Sequence, residues 1–132
     1  MDDSLRQLVR SRANGKCEYC RFPEEHSFNP FQVDHIIAEK HGGPSVEWNL
    51  AWSCFYCNSY KGPNISSWDA ETDAIIRLYH PRKDTWSDHF EWNESSLTPK
   101  TPIGEATIKV LRINHPDAVA VRRILLDSGY QI

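Results

Sequence analysis

Long apolar runs are missing: no stretch of the 132 residues approaches the ~18 consecutive apolar positions of a membrane span. An excess of positive charge is missing too. Fifteen Lys and Arg against 18 Asp and Glu leave a formal net charge of −3, which argues against a chain that coats nucleic acid by bulk electrostatics. The opening Met1-Asp2-Asp3-Ser4-Leu5-Arg6 has neither the basic start nor the apolar core of a secretion signal, so a cytoplasmic location is expected. There is no internal repeat and no low-complexity tract. Cysteine is scarce at four residues, and none is spare: Cys17/Cys20 and Cys54/Cys57 form two Cys-x-x-Cys pairs.

Reduced thiols in that compartment favour metal ligation over disulfides. Four thiolates in two short pairs suit a closed, tetrahedral, redox-silent Zn²⁺ site. Between the pairs lie Val33-Asp34-His35-Ile36-Ile37, Gly42-Gly43 and Asn49-Leu50, and Asn58 follows the last cysteine. Such a zinc site would hold Asp34, His35 and Asn58 near one another, a set suited to a second, catalytic cation. A bare zinc-ribbon binding module would not need them.

The pattern predicts a helix over 4–13, with Leu5, Leu8 and Val9 at helical spacing, Ser4 as its cap and Asn14-Gly15 as its end. A cysteine knuckle follows, then a loop over 21–30 and a strand over 31–37. Gly42-Gly43-Pro44 is a turn, and a helix from about 53 to 61 is stopped by Gly62-Pro63. Beyond Pro63, residues 75–79 and 89–92 read as strands of a β-hairpin. Two helices follow, about 105–113 and 116–127, the second capped by Asn114, with Val119, Ile124 and Leu125 inward. The expected fold is α+β. Residues 1–63 form a helix plus a zinc-stapled core, and 64–132 a hairpin and two-helix extension packed on it. The zinc compensates for the small core of so short a motif.

Asp34-His35-Ile36-Ile37, Gly42-Gly43, Asn49-Leu50 and Cys54-x-x-Cys57-Asn58-x-x-Lys61 resemble the HNH endonucleases of the ββα-metal class. The likeness covers about residues 17–62. The third motif residue of that family is often His, and here it is Asn58, whose harder amide oxygen suits Mg²⁺ or Mn²⁺. The resemblance implies hydrolysis of DNA phosphodiester bonds, nicking or cutting double strands, with 5′-phosphate and 3′-hydroxyl products. It implies His35 as general base, Asp34 and Asn58 as ligands of the divalent ion, and Asn49 as a brace of the loop that aims His35. Strand alternation sets a condition: Asp34 and His35 point to opposite faces unless the strand ends, twists or bulges there.

Arg12, Lys16, His41 and Lys61 are candidate DNA contacts, each weighed against an ordinary surface or loop role. The first 21 residues hold five positive charges against three negative. Most of the five tryptophans are expected in the core, and Arg112, Arg122 and Arg123 on a solvated face. A homodimer or protein partner would supply a second cut or extra DNA affinity; a membrane partner is not expected. The rival readings are a non-catalytic, zinc-dependent nucleic-acid-binding module and a partner-dependent nuclease subunit of a defence or phage system.

Overall fold

In the computed structural model, which describes residues 1–132, the chain opens with helix α1 (Asp3–Arg12). Its cap is Asp2 rather than Ser4. The Asp2 carboxylate accepts from the Leu5 amide and the Ser4 hydroxyl, both at 2.8 Å, and its negative charge suits a helix N-terminus. Asn14 and Gly15 take left-handed φ of 55° and 76° and end the helix.

Strand β1 (Gln32–His35) pairs antiparallel with β2 (Leu50–Ser53), Gln32 opposite Ser53 and His35 opposite Leu50. Helix α2 (Phe55–Lys61) follows directly. Its cap is a zinc-ligand candidate: the Cys54 sulfur accepts from the Cys57 amide at 3.4 Å. All of β2 is buried, because α1 covers it and Trp52 packs on Phe31. Arg6 and Arg10 stack on Trp52 at 5.1 and 5.9 Å from the ring centroid.

The second half departs from the single expected hairpin. Strand β3 (Ser66–Asp69) pairs with β4 (Ala74–Arg77). After the one-turn helix α3 (Trp86–His89), β5 (Phe90–Asn93) pairs with β6 (Ser96–Pro99). Each strand closes on its near neighbour through its own tight turn, aided by left-handed Asp73 and Glu94, and short loops cost the least closure entropy. Helix α4 (Pro102–Val110) starts before the expected position because Thr101 caps it, accepting from the Gly104 amide at 3.1 Å. Helix α5 (Pro116–Asp127) begins as expected, but His115 is its cap. Asn114 instead clamps Leu97, accepting from its amide and donating to its carbonyl.

Two burial expectations reverse on α5. Ile124 is 64% exposed, whereas Arg122 is buried beneath Trp92, donating to the Ser95 and Ile113 carbonyls. Trp48 and Trp68 are also exposed. One apolar cluster runs from Val9, Tyr19, Phe31 and Leu50 through Tyr79 and Phe90 to Leu97, Leu111 and Ile113.

Candidate active site

The four cysteines are buried, and their ligand atoms all lie within 4.8 Å of one another. The Cys20 and Cys54 sulfurs are 3.8 Å apart, the separation that a tetrahedral site with Zn–S bonds of about 2.3 Å requires. Burial pushes the Cys17 thiol up, but hydrogen bonds from Cys20, Cys54 and Cys57 overcome it and hold Cys17 well below the ordinary thiol range. The same sharing, led by the bond to Cys17, pushes Cys20 up. Four buried sulfurs at tetrahedral spacing form a donor set that fits zinc.

Strand β1 ends at His35, whose ring meets residues of the loop that follows. His35 Nε2 lies 2.8 Å from the Ser45 hydroxyl and 3.8 Å from a Glu39 carboxylate oxygen. The connecting loop is shaped by Asn49, which is fully buried. Asn49 accepts from the Ile37 amide at 2.8 Å and donates to the Ile37 and Pro44 carbonyls at 3.0 and 2.9 Å. Those bonds pin the chain two residues after His35 and one before Ser45. Gly43 makes the crossing possible, since a Cβ there would lie 1.7 Å from the Ile37 carbonyl oxygen.

Asp34 faces the other way. It is 3% exposed and accepts from the Tyr19 hydroxyl at 2.6 Å and from the Lys61 ammonium at 3.2 Å. Burial pushes the Asp34 carboxyl up, opposed by Lys61 and by the Tyr19 hydrogen bond. Burial and the Asp34 charge push the Tyr19 phenol well up, so it is a neutral donor. Lys61 also donates to the His35 main-chain carbonyl at 3.0 Å. Gln32, two residues before Asp34, shares its face of β1, and the Asn58 amide nitrogen donates to Gln32. The structure ties Asp34 to Tyr19 and Lys61, Asn58 to Gln32 and the His35 ring to Ser45, and no side-chain hydrogen bond joins the three expected site residues to one another.

The Asp34 carboxylate and the Asn58 amide each offer a hard oxygen of the kind that suits Mg²⁺ or Mn²⁺. A cation already marks the position: the Lys61 ammonium sits 3.2 Å from Asp34 Oδ2 and within hydrogen-bond reach of Asp34 Oδ1 and the His35 carbonyl. The donors fit a divalent ion, and a side chain of this protein already balances their charge.

The candidate DNA contacts separate. Lys61 is 1% exposed, so its expected surface role does not hold in this arrangement: α2 directs its stem inward and Asp34 holds its charge. The Arg12 guanidinium donates to the Glu47 and Leu50 carbonyls, both at 2.6 Å, and ties α1 to the hairpin. His41 Nε2 lies 3.0 Å from the Pro63 carbonyl oxygen. Lys16 is half-buried in a bridge to Pro23. Sequence reasoning missed Ser45, Glu39, Tyr19 and Gln32. Glu39 was findable as the residue four beyond His35, and Tyr19 as a residue inside the first cysteine pair.

A family model described as HNH endonuclease matches residues 17–64. No curated protein and no solved structure matches the chain.

Proposed function

We propose that this HNH core makes the chain a metal-dependent DNA endonuclease that hydrolyses phosphodiester bonds in double-stranded DNA. The observation that carries the reading is the held imidazole. His35 is fixed by Ser45 at the end of β1, beside a loop braced by Asn49 and one residue from the Asp34 carboxylate.

Phosphodiester hydrolysis needs a water deprotonated in line with the leaving oxygen. With Nε2–H donating to Ser45 Oγ, His35 presents Nδ1 as the basic nitrogen, and Nδ1 takes the proton from the attacking water. Glu39, close to the ring, stabilises the imidazolium that results. Asn49 keeps the ring's aim by holding the loop. Asp34 and Asn58 would hold the divalent ion, which would supply positive charge to offset the negative charge that builds as the phosphodiester bond breaks. As the water oxygen joins phosphorus, the P–O3′ bond breaks and the departing oxygen takes a proton from solvent water, leaving 5′-phosphate and 3′-hydroxyl ends. A single such site cuts one strand, so nicking is the elementary event.

Supercoiled-plasmid nicking tests this, with Mg²⁺, Mn²⁺ or EDTA, for the wild type and His35→Ala at matched zinc content. Metal-dependent nicking lost in the variant supports the assignment. No nicking by folded, zinc-loaded wild type favours a nucleic-acid-binding module or a partner-dependent subunit. Equal nicking by both proteins removes His35 from the mechanism.

A further inference from the structure

We infer that Lys61 is the resident counter-ion of Asp34, and that the catalytic cation binds by displacing its ammonium, which passes to a DNA phosphate. This deepens the nuclease reading and rests on its assignment of Asp34 as a cation ligand.

Asp34 and Lys61 form a buried pair, 3% and 1% exposed. The ammonium meets both carboxylate oxygens and the His35 carbonyl, with no other anion among its partners. The pair is therefore neutral as it stands. A divalent ion added beside an unmoved ammonium would leave two surplus positive charges in a buried site, which burial strongly disfavours. The ion gains Asp34 only if Lys61 leaves.

The structure provides for the exchange. Lys61 is the last residue of α2, and its ammonium sits at the end of a four-carbon stem with rotamers of its own. Tyr19 does not move with it: its hydroxyl retains Asp34 Oδ2, so the carboxylate keeps its place when the ammonium goes. The only strong anion that the proposed reaction brings is the DNA phosphate. Cation and DNA then bind cooperatively, because each is favoured by the displacement that the other needs. Without DNA the cation site is held closed by the protein's own lysine, which restrains idle metal binding.

The test reads Mn²⁺ binding to the zinc-loaded full chain, from the loss of the free-ion paramagnetic resonance signal. Lys61→Met is expected to bind one Mn²⁺ at least about tenfold tighter than the wild type, a 1.4 kcal/mol difference. Lys61→Arg keeps the charge and should bind no tighter than the wild type. Asp34→Asn, alone or with Lys61→Met, should lack the site. A short non-cleavable DNA duplex should tighten Mn²⁺ binding to the wild type and not to Lys61→Met. Equal or weaker Mn²⁺ binding by folded Lys61→Met overturns the inference. If Lys61→Met is unfolded without metal, millimolar Mn²⁺ should restore its fold, and failure to do so also overturns it. Plasmid nicking, assayed separately, distinguishes this inference from the nuclease reading. Tight Mn²⁺ binding without nicking would keep the role of Lys61 and sink the nuclease reading; nicking with unchanged Mn²⁺ affinity would do the reverse.

Discussion

Gly42 and Gly43 are neighbours that fail for opposite reasons when replaced by alanine. Gly42 has φ of 86° and open space, with nothing within 4 Å of the position that an alanine methyl would take. Gly42→Ala therefore costs only the left-handed backbone, about 1–2 kcal/mol, less a few tenths returned by the stiffer unfolded chain. At Gly43 a Cβ would meet the Ile37 carbonyl oxygen at 1.7 Å, its carbon at 2.6 Å and the Asn49 amide nitrogen at 2.9 Å. Two of these are main-chain atoms, so no rotamer relieves the overlap and the loop must move. The movement breaks the hydrogen bonds of buried Asn49 to Ile37 and Pro44. At about 1 kcal/mol each, more where a buried group is stranded, Gly43→Ala should cost about 3 kcal/mol. Urea unfolding of both zinc-loaded variants, followed by tryptophan fluorescence, measures the difference. On the proposed nuclease reading, Gly43→Ala should also lose nicking, because the loop that moves carries Ser45 against His35. A Gly43→Ala cost below about 1 kcal/mol, or below that of Gly42→Ala, would refute the view that the Asn49 brace shapes this loop.

Three further outcomes follow from the geometry. Strong chelation should unfold the β1–β2–α2 unit, since structural zinc contributes apparent binding energies of roughly 10–16 kcal/mol in small motifs; circular dichroism with and without chelator reads this. Buried Glu18 pairs with Arg82 and accepts from the Trp52 amide. Arg82→Met should destabilise by about 3 kcal/mol by stranding that carboxylate, and Glu18→Gln with Arg82→Met should recover part of it, measured as a double-mutant cycle. Burial pushes the Tyr79 phenol up to about 12, above the ordinary value of ~10. The folded pKa is raised, so the stability tied to the neutral phenol is whole below pH ~10 and is lost as pH rises toward 12. Tyr79→Phe should flatten that alkaline loss in melting temperature against pH.

The zinc cluster and the hairpin–helix order were legible because their signals are local. Cysteine spacing, the Gly42-Gly43 turn and the Gly62-Pro63 stop each act within a few residues. The pairing of strands beyond Pro63 was not legible. Residues 66–69 hold two serines and an aspartate around Trp68, too polar to read as a strand, yet a cross-strand partner and α4 are enough to order them. Lys61 and Arg122 misled for a related reason. Their residue types default to solvent, and only the assembled fold supplies the carboxylate and carbonyls that justify burial. In the site itself, Asp34, His35 and Asn58 were expected near one another, and alternation along β1 required the strand to end, twist or bulge for that, yet β1 pairs regularly through His35. Alternation did not name Tyr19, Ser45 or Glu39 as the groups that Asp34 and His35 then meet, because those contacts are set by the turn and the knuckle.

The extension bears on the same knuckle that holds the site. Arg82 closes on Glu18, and the Trp86 indole donates to the Tyr19 carbonyl at 2.9 Å. The Tyr79 ring meets the Tyr19 ring edge-on at 6.4 Å. Tyr19 in turn fixes Asp34, Asp34 fixes Lys61, and Lys61 holds the carbonyl of His35. Removing residues 64–132 would therefore strand Glu18, expose one side of Tyr19 and loosen the first member of that chain of contacts. Zinc would still find its four thiolates, all of which lie before residue 63. The expected result for residues 1–63 is a species that binds zinc yet melts without a sharp transition and does not nick DNA. A cooperative melt and full nicking by that fragment would show that the extension serves something other than the site.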